Sequence, residues 1–154
     1  LSKFEMNDAH RRHMASYLRT MARIQPYKRA VVCPAGRDSQ GRVAYTHLTF
    51  RQLDIESDCV AQGLDEAGVS RGVRTILMVK PSLDFFALVF ALFKVGAVPV
   101  VVDPGMGVSR MLNCLSSSQT VIISSTTSVA PCNIKASKVN FNCSRCLFRA
   151  TKFK

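Results

Sequence analysis

Acidic side chains are scarce in this chain: ten Asp and Glu stand against 21 Lys and Arg, and none lies beyond Asp103. Before residue 104 the 14 bases exceed the ten acids by four, whereas residues 104–154 carry seven bases and no acid. The net charge of +11 therefore belongs mostly to the C-terminal tail. A tail that gains charge by losing every acid reads as solvated or foreign sequence rather than as a surface built for nucleic acid. Histidine is sparse as well. There are three, and none follows His47 to complete a metal site in the tail.

No unbroken apolar stretch reaches the ~20 residues that a spanning helix needs. The longest run, Phe85 to Pro104, is cut by Lys94, Gly96 and Pro99, so no transmembrane segment is expected. A charged opening followed by an apolar segment is missing from the first residues, and no secretory signal is visible. The expected compartment is the cytoplasm, where the six cysteines stay reduced. Leu1 in place of an initiator Met reads as the start of a fragment or of an edited sequence. At 154 residues the chain suits one domain and can bury ~68–70% of its unfolded surface.

The broken run, FFALVFALFKVGAVPVVVDP, is the element around which the rest is organised. Ser82 can cap a helix N-terminus, Asp84 falls in its first turn, and Gly96 follows its end. The next strand is Val98 to Val102, whose lack of alternation implies a parallel sheet covered on both faces. A helix apolar on nearly every side must likewise be covered on nearly every side. With Arg74 to Val79 as the preceding strand, the unit is βαβ with parallel strands, and the fold class is α/β.

Upstream, Asn7 to Ile24 has helical periodicity, with Met14, Tyr17, Leu18 and Met21 on one side and Pro26 as its stop. Ala30 to Cys33 and Arg42 to His47 read as partner strands about a turn at Pro34 to Gly41. Thr49 and Gln52 form a capping box. The helix it opens buries Phe50, Leu53, Val60, Leu64 and Ala67 and ends at Gly68, while Asp54, Glu56, Asp58, Asp65 and Glu66 are expected to be solvated.

Two stretches resemble a known family. Lys94-Val95-Gly96-Ala97-Val98-Pro99-Val100-Val101-Val102-Asp103-Pro104 resembles the K-x-G-A-x-x-V-P-x-D-P element of the adenylate-forming enzymes, the superfamily of acyl-CoA synthetases, luciferases and peptide-synthetase adenylation domains. Leu48-Thr49-Phe50-Arg51-Gln52-Leu53 resembles the L-T-Y-x-E-L signature upstream of it. Val79 to Phe86 and Asp103 to Gly107 look like the fatty-acid ligase branch that includes the β-lactone synthetases of olefin biosynthesis.

The resemblance implies a partial N-terminal adenylation domain over residues 1–115, with 116–154 a poorly ordered Ser/Thr/Cys-rich tail outside the family sequence. It also implies a parent reaction in which a fatty or β-hydroxy acid attacks the α-phosphate of ATP, with Mg²⁺ neutralising the phosphates. The glycine-rich phosphate loop and the lysine of the mobile C-terminal domain would lie beyond residue 154. Ser124 to Pro131 echoes that loop without its glycines or its lysine. No catalytic, cofactor-binding or metal residue is therefore expected in this chain, which would be inactive alone.

The remaining candidates have plainer readings. His10 and His13 lack a nearby carboxylate or Cys, and His47 lacks an evident nucleophile as its partner. The Lys80-Pro81-Ser82 turn has no glycine for close phosphate approach, and Gly105-Met106-Gly107 has Arg110 where a dinucleotide fingerprint needs its third glycine. Cys143-Ser144-Arg145-Cys146, with Cys132, has the spacing of an incomplete zinc site or a redox module, against incidental reduced thiols. The alternative to a ligase fragment is a small module whose basic tail contacts nucleic acid or an anionic membrane. That alternative requires binding that falls steeply with salt and disappears when residues 116–154 are deleted; titration against duplex DNA and anionic vesicles at rising salt is expected to show no such component.

Overall fold

The structure is a computed structural model, and it describes residues 14–101, 120–125, 136–143 and 146–153. The elements are α1 (Met14–Ile24), β1 (Arg29–Arg37), β2 (Val43–Thr49), α2 (Phe50–Glu66), β3 (Arg74–Met78), α3 (Leu83–Val95), β4 (Val98–Val101), β5 (Thr120–Ser125), β6 (Ala136–Cys143) and β7 (Cys146–Phe153). Strands β1 and β2 form an antiparallel pair. The other five make one sheet in the order β4-β3-β5-β7-β6. Within it β3 runs parallel to both β4 and β5, and β7 runs antiparallel to both β5 and β6. The expected βαβ unit is β3-α3-β4, and the class is α/β.

Local chemistry sets the limits of the two main helices. At the start of α2 the Thr49 hydroxyl accepts from the Gln52 amide at 3.3 Å while Thr49 N donates to Gln52 Oε1 at 2.9 Å, closing the capping box. At its end Gly68, at φ 73°, lets Val69 N donate back to Leu64 O at 2.8 Å, which satisfies a carbonyl left over by the last turn. Helix α3 repeats the scheme. Ser82 Oγ accepts from Phe85 N at 3.3 Å, Asp84 lies in the first turn, and Gly96 at φ 75° lets Ala97 N reach Leu92 O at 3.0 Å. The positive φ favours glycine at 96, and a Cβ there would also press on Arg71 Cγ at 3.2 Å, which would have to shift slightly.

The apolar character of α3 follows from its place between two cores. One side, Leu88, Ala91 and Leu92, packs with Val60, Ala61 and Leu64 of α2, Leu77 of β3, and Val121 and Ile123 of β5. Ala87, with Phe86 and Phe90 beside it, joins Leu18 of α1, Leu48 of β2 and Leu53 of α2. Helix α2 also reaches both cores, so the α2–α3 pair is the spine of the molecule. The buried hydroxyls have local acceptors: Ser57 Oγ donates to Asp54 O at 3.0 Å and Thr75 Oγ1 to Val73 O at 3.4 Å.

Several expectations are corrected. Among the described strands β4 is an edge of the sheet, with Val98 47% exposed and Pro99 and Val100 half-buried, so the unalternating valine run is not fully buried. Met14 and Tyr17 are each 59% exposed although they share a helix side with buried Leu18, because that side overlooks an open hollow. Strand β1 continues past Cys33 to Arg37, leaving a tighter turn in which Arg42 donates through its backbone N–H and Nε to Asp38, holding that carboxyl below its usual range. The strand expected at Thr120 to Ser124 is present as β5, and regular structure recurs in 116–154 as the β6–β7 pair. The helical start at Asn7, His10 and His13, and the turn at Gly105 to Gly107 with the segment after it, lie outside the described residues.

Leu88, fully buried where α3 meets α2 and the sheet, is the position whose truncation tests the spine. Leu88→Ala is expected to lower unfolding stability by about 2–5 kcal/mol in urea denaturation.

Candidate functional site

The most concentrated polar cluster among the described residues lies where the last turn of α3 crosses α2. Asp54 and Asp58 are one helical turn apart on α2 and therefore share a face. Lys94 reaches them from α3: its Nζ donates to Asp54 Oδ1 at 2.7 Å, to Asp58 Oδ1 at 2.8 Å and to the Asp54 carbonyl oxygen at 2.9 Å. An ammonium group has three N–H donors, and all three are used. The Lys94 side chain is 4% exposed, Asp54 17% and Asp58 49%. Arg19 of α1 approaches the same Asp58 oxygen at 3.8 Å, so the cluster ties three helices together. With its donors committed to the protein, Lys94 has none left to offer a substrate, and the cluster is a clasp.

Asp54 and Asp58 are thus not simply solvated, as their place on a surface helix implied. The available signal was a pair of acids four apart on α2 together with one lysine inside an apolar helix, since a charge so placed needs partners.

Beside the clasp is the hollow, with about 280 Å³ of open space between α1, β1, α2 and α3. Its wall includes Met14, Tyr17 and Leu18 of α1, Phe50 of α2, and Phe86 and Phe90 of α3. Phe86 stands edge-on to Phe85 with ring centres 5.6 Å apart. Among the described residues that line it there is no carboxylate, imidazole, thiol or amine, the groups that do acid–base or nucleophilic work near neutral pH.

The other sequence candidates are dispersed. His47 lies exposed on β2, across the ladder from Val32. The Lys80-Pro81-Ser82 turn uses Ser82 to close the start of α3, and Asp84 adds a negative charge there. Among the described residues no three His, Cys, Asp or Glu side chains gather as a metal site. Cys143 and Cys146 are ladder partners at the joined ends of β6 and β7, whereas Cys132 lies outside the described residues. Among the described residues no metal ligand set for Mg²⁺ is present, and at the start of α3 the Phe85 amide is already taken by the Ser82 hydroxyl beside the Asp84 carboxylate.

The clasp makes an unequal set of substitutions. Lys94→Ala leaves the poorly exposed Asp54 carboxylate without its cation and is expected to cost about 3 kcal/mol. Asp58→Asn, at a half-exposed site, is expected to cost less than about 1 kcal/mol. Guanidinium denaturation of both variants checks the order.

Both family-like stretches fall on these structural devices. Leu48 and Leu53 are core residues with the Thr49–Gln52 capping box between them. Lys94 is the clasp, Gly96 the helix stop and Ala97 a core residue.

Comparison with known proteins agrees. The family model described as AMP-binding enzyme matches residues 18–145. The olefin beta-lactone synthetase of Xanthomonas campestris pv. campestris is 46% identical over 108 residues, 70% of this chain and 19% of the relative. That of Stenotrophomonas maltophilia is 48% identical over 109 residues, 70% of this chain and 20% of the relative. The solved Mycobacterium tuberculosis fatty acyl CoA synthetase superposes with a TM-score of 0.56 over 69% of this chain and 20% of that one, at 24% identity, a likeness of fold. The chain thus spans about a fifth of the length of the curated relatives it matches. A family match over residues 18–145, with relatives 46% and 48% identical over 70% of the chain, shows that this chain belongs to the AMP-binding, adenylate-forming enzyme family.

Proposed function

We propose that this chain is the structural opening of an ATP-dependent carboxylic acid ligase that forms acyl-adenylates, and that it is inactive alone. The observation that carries the reading is the 46% and 48% identity to proteins named olefin beta-lactone synthetase over 70% of the chain. On that basis the parent's substrate is a fatty or β-hydroxy acid, activated at the α-phosphate of ATP and captured by coenzyme A or by its own hydroxyl. The role of the present residues is to form the α2–α3 spine and its parallel strands, against which the nucleotide-binding parts of a full-length ligase fold.

Three features support a scaffold role. Lys94 spends all its donors on Asp54 and Asp58, the hollow is lined by apolar side chains, and the start of α3 is closed by Ser82. Among the described residues no helix is long and apolar enough to cross a membrane. The proposed location is the cytoplasm, where the ATP that such a ligase consumes is found.

ATP–pyrophosphate exchange with a panel of fatty and β-hydroxy acids tests the reading. The purified 154-residue chain is expected to give no exchange above a heat-inactivated control. The same sequence continued into a full-length ligase is expected to give acid-dependent exchange. Exchange by the short chain would place an adenylation site within these residues and overturn the proposal.

A further inference from the structure

The β6–β7 ladder sets Cys143 directly across from Cys146, with only Ser144 and Arg145 between them in the chain. Facing residues of an antiparallel ladder have Cα atoms ~4.5–5.5 Å apart. A disulfide bridges Cα atoms ~4.4–6.8 Å apart. The register therefore places the Cα atoms of this pair within bridging range. Cys33 on β1 and Cys59 on α2 are not in disulfides and are not placed across from another cysteine.

Arg145 lies between the two cysteines in the chain, and thiolate is the form that attacks a disulfide. A zinc site would need two further ligands, and the ladder supplies two cysteines only.

We propose that Cys143 and Cys146 form a thiol–disulfide exchange site for low-molecular-weight disulfides. One cysteine thiolate attacks a sulfur of the small disulfide, forming a mixed disulfide and releasing one small thiolate. The second cysteine gives its proton to solvent and attacks the protein-bound sulfur, expelling the other small thiolate and closing the bond across the ladder. Two protein thiols are oxidised, the small disulfide is reduced to two thiols, and the two protons lost by the protein are taken up by the products. The bond would pin the joined ends of β6 and β7, where the register ends. This inference stands apart from the ligase reading, since it needs neither ATP nor acid.

The full chain equilibrated in glutathione buffers of rising oxidised fraction, quenched in acid, alkylated and mapped by peptide mass provides the test. The segment holding Cys143 and Cys146 is expected to lose two hydrogens and escape alkylation while Cys33 and Cys59 remain alkylated. Cys146→Ser is expected to stop at the glutathione mixed disulfide on Cys143. The exchange constant in the folded chain should exceed that in denaturant by at least about tenfold, because the ladder raises the effective concentration of the pair. Full alkylation of both thiols in the most oxidising buffer, bridging to Cys114 or Cys132 instead, or the same constant in denaturant would each overturn the proposal. So would resistance to glutathione disulfide together with stoichiometric binding of added zinc.

Discussion

Everything described depends on how α3 is held. The helix has cores on two sides and carries one cation, Lys94, in its last turn. Sequestering an ammonium ion with no partner costs several kcal/mol, so α3 can sit so deeply only where carboxylates meet it. Asp54 and Asp58 fix that place on α2, and the Asp54 carbonyl takes the third proton. Once α2 and α3 are crossed in this way, β3 and β4 are set by the two ends of α3, and α1 follows through Leu18 and the Arg19–Asp58 approach. The clasp adds direction to hydrophobic contacts that have little of their own.

Much of this was legible in the sequence where the cause is local. Thr49 and Gln52, Ser82 and Phe85, and Gly68 and Gly96 act within one turn of chain, so their residue types announce the helix limits. The 3.6-residue spacing of Leu53, Val60 and Leu64 marked the covered face of α2. What escaped is decided at long range. Lys94 and Asp54 are 40 residues apart, and neither shows its partner by spacing. The valines of β4 read as deeply covered because composition reports affinity for a strand, whereas the strand's position in the sheet decides its exposure. The pairing of β7 with both β5 and β6 has no local marker either.

The candidate site follows the same division. The sequence around Lys80 and Ser124 lacks the glycines that a phosphate loop needs. That the family-like residues serve as cap, stop and clasp became visible only with the contacts. The family match over residues 18–145 takes in these structural devices, and among the described residues no three His, Cys, Asp or Glu side chains gather as a metal site.

Strand β3 is hydrogen-bonded on both sides by parallel neighbours, β4 after α3 and β5 later in the chain. Parallel pairing cannot be made by a tight turn, so each neighbour must travel back across the sheet before it can dock. For a chain emerging from the ribosome this imposes an order. The β3-α3-β4 unit and the Lys94 clasp are complete once residue 101 has cleared the exit. Val121 and Ile123, which close the first core from the far side of β3, arrive about twenty residues later, one to four seconds at ordinary translation rates of ~5–20 residues per second. During that interval the nascent protein has its spine in place and one side of its core uncovered, which is when a chaperone has something to hold.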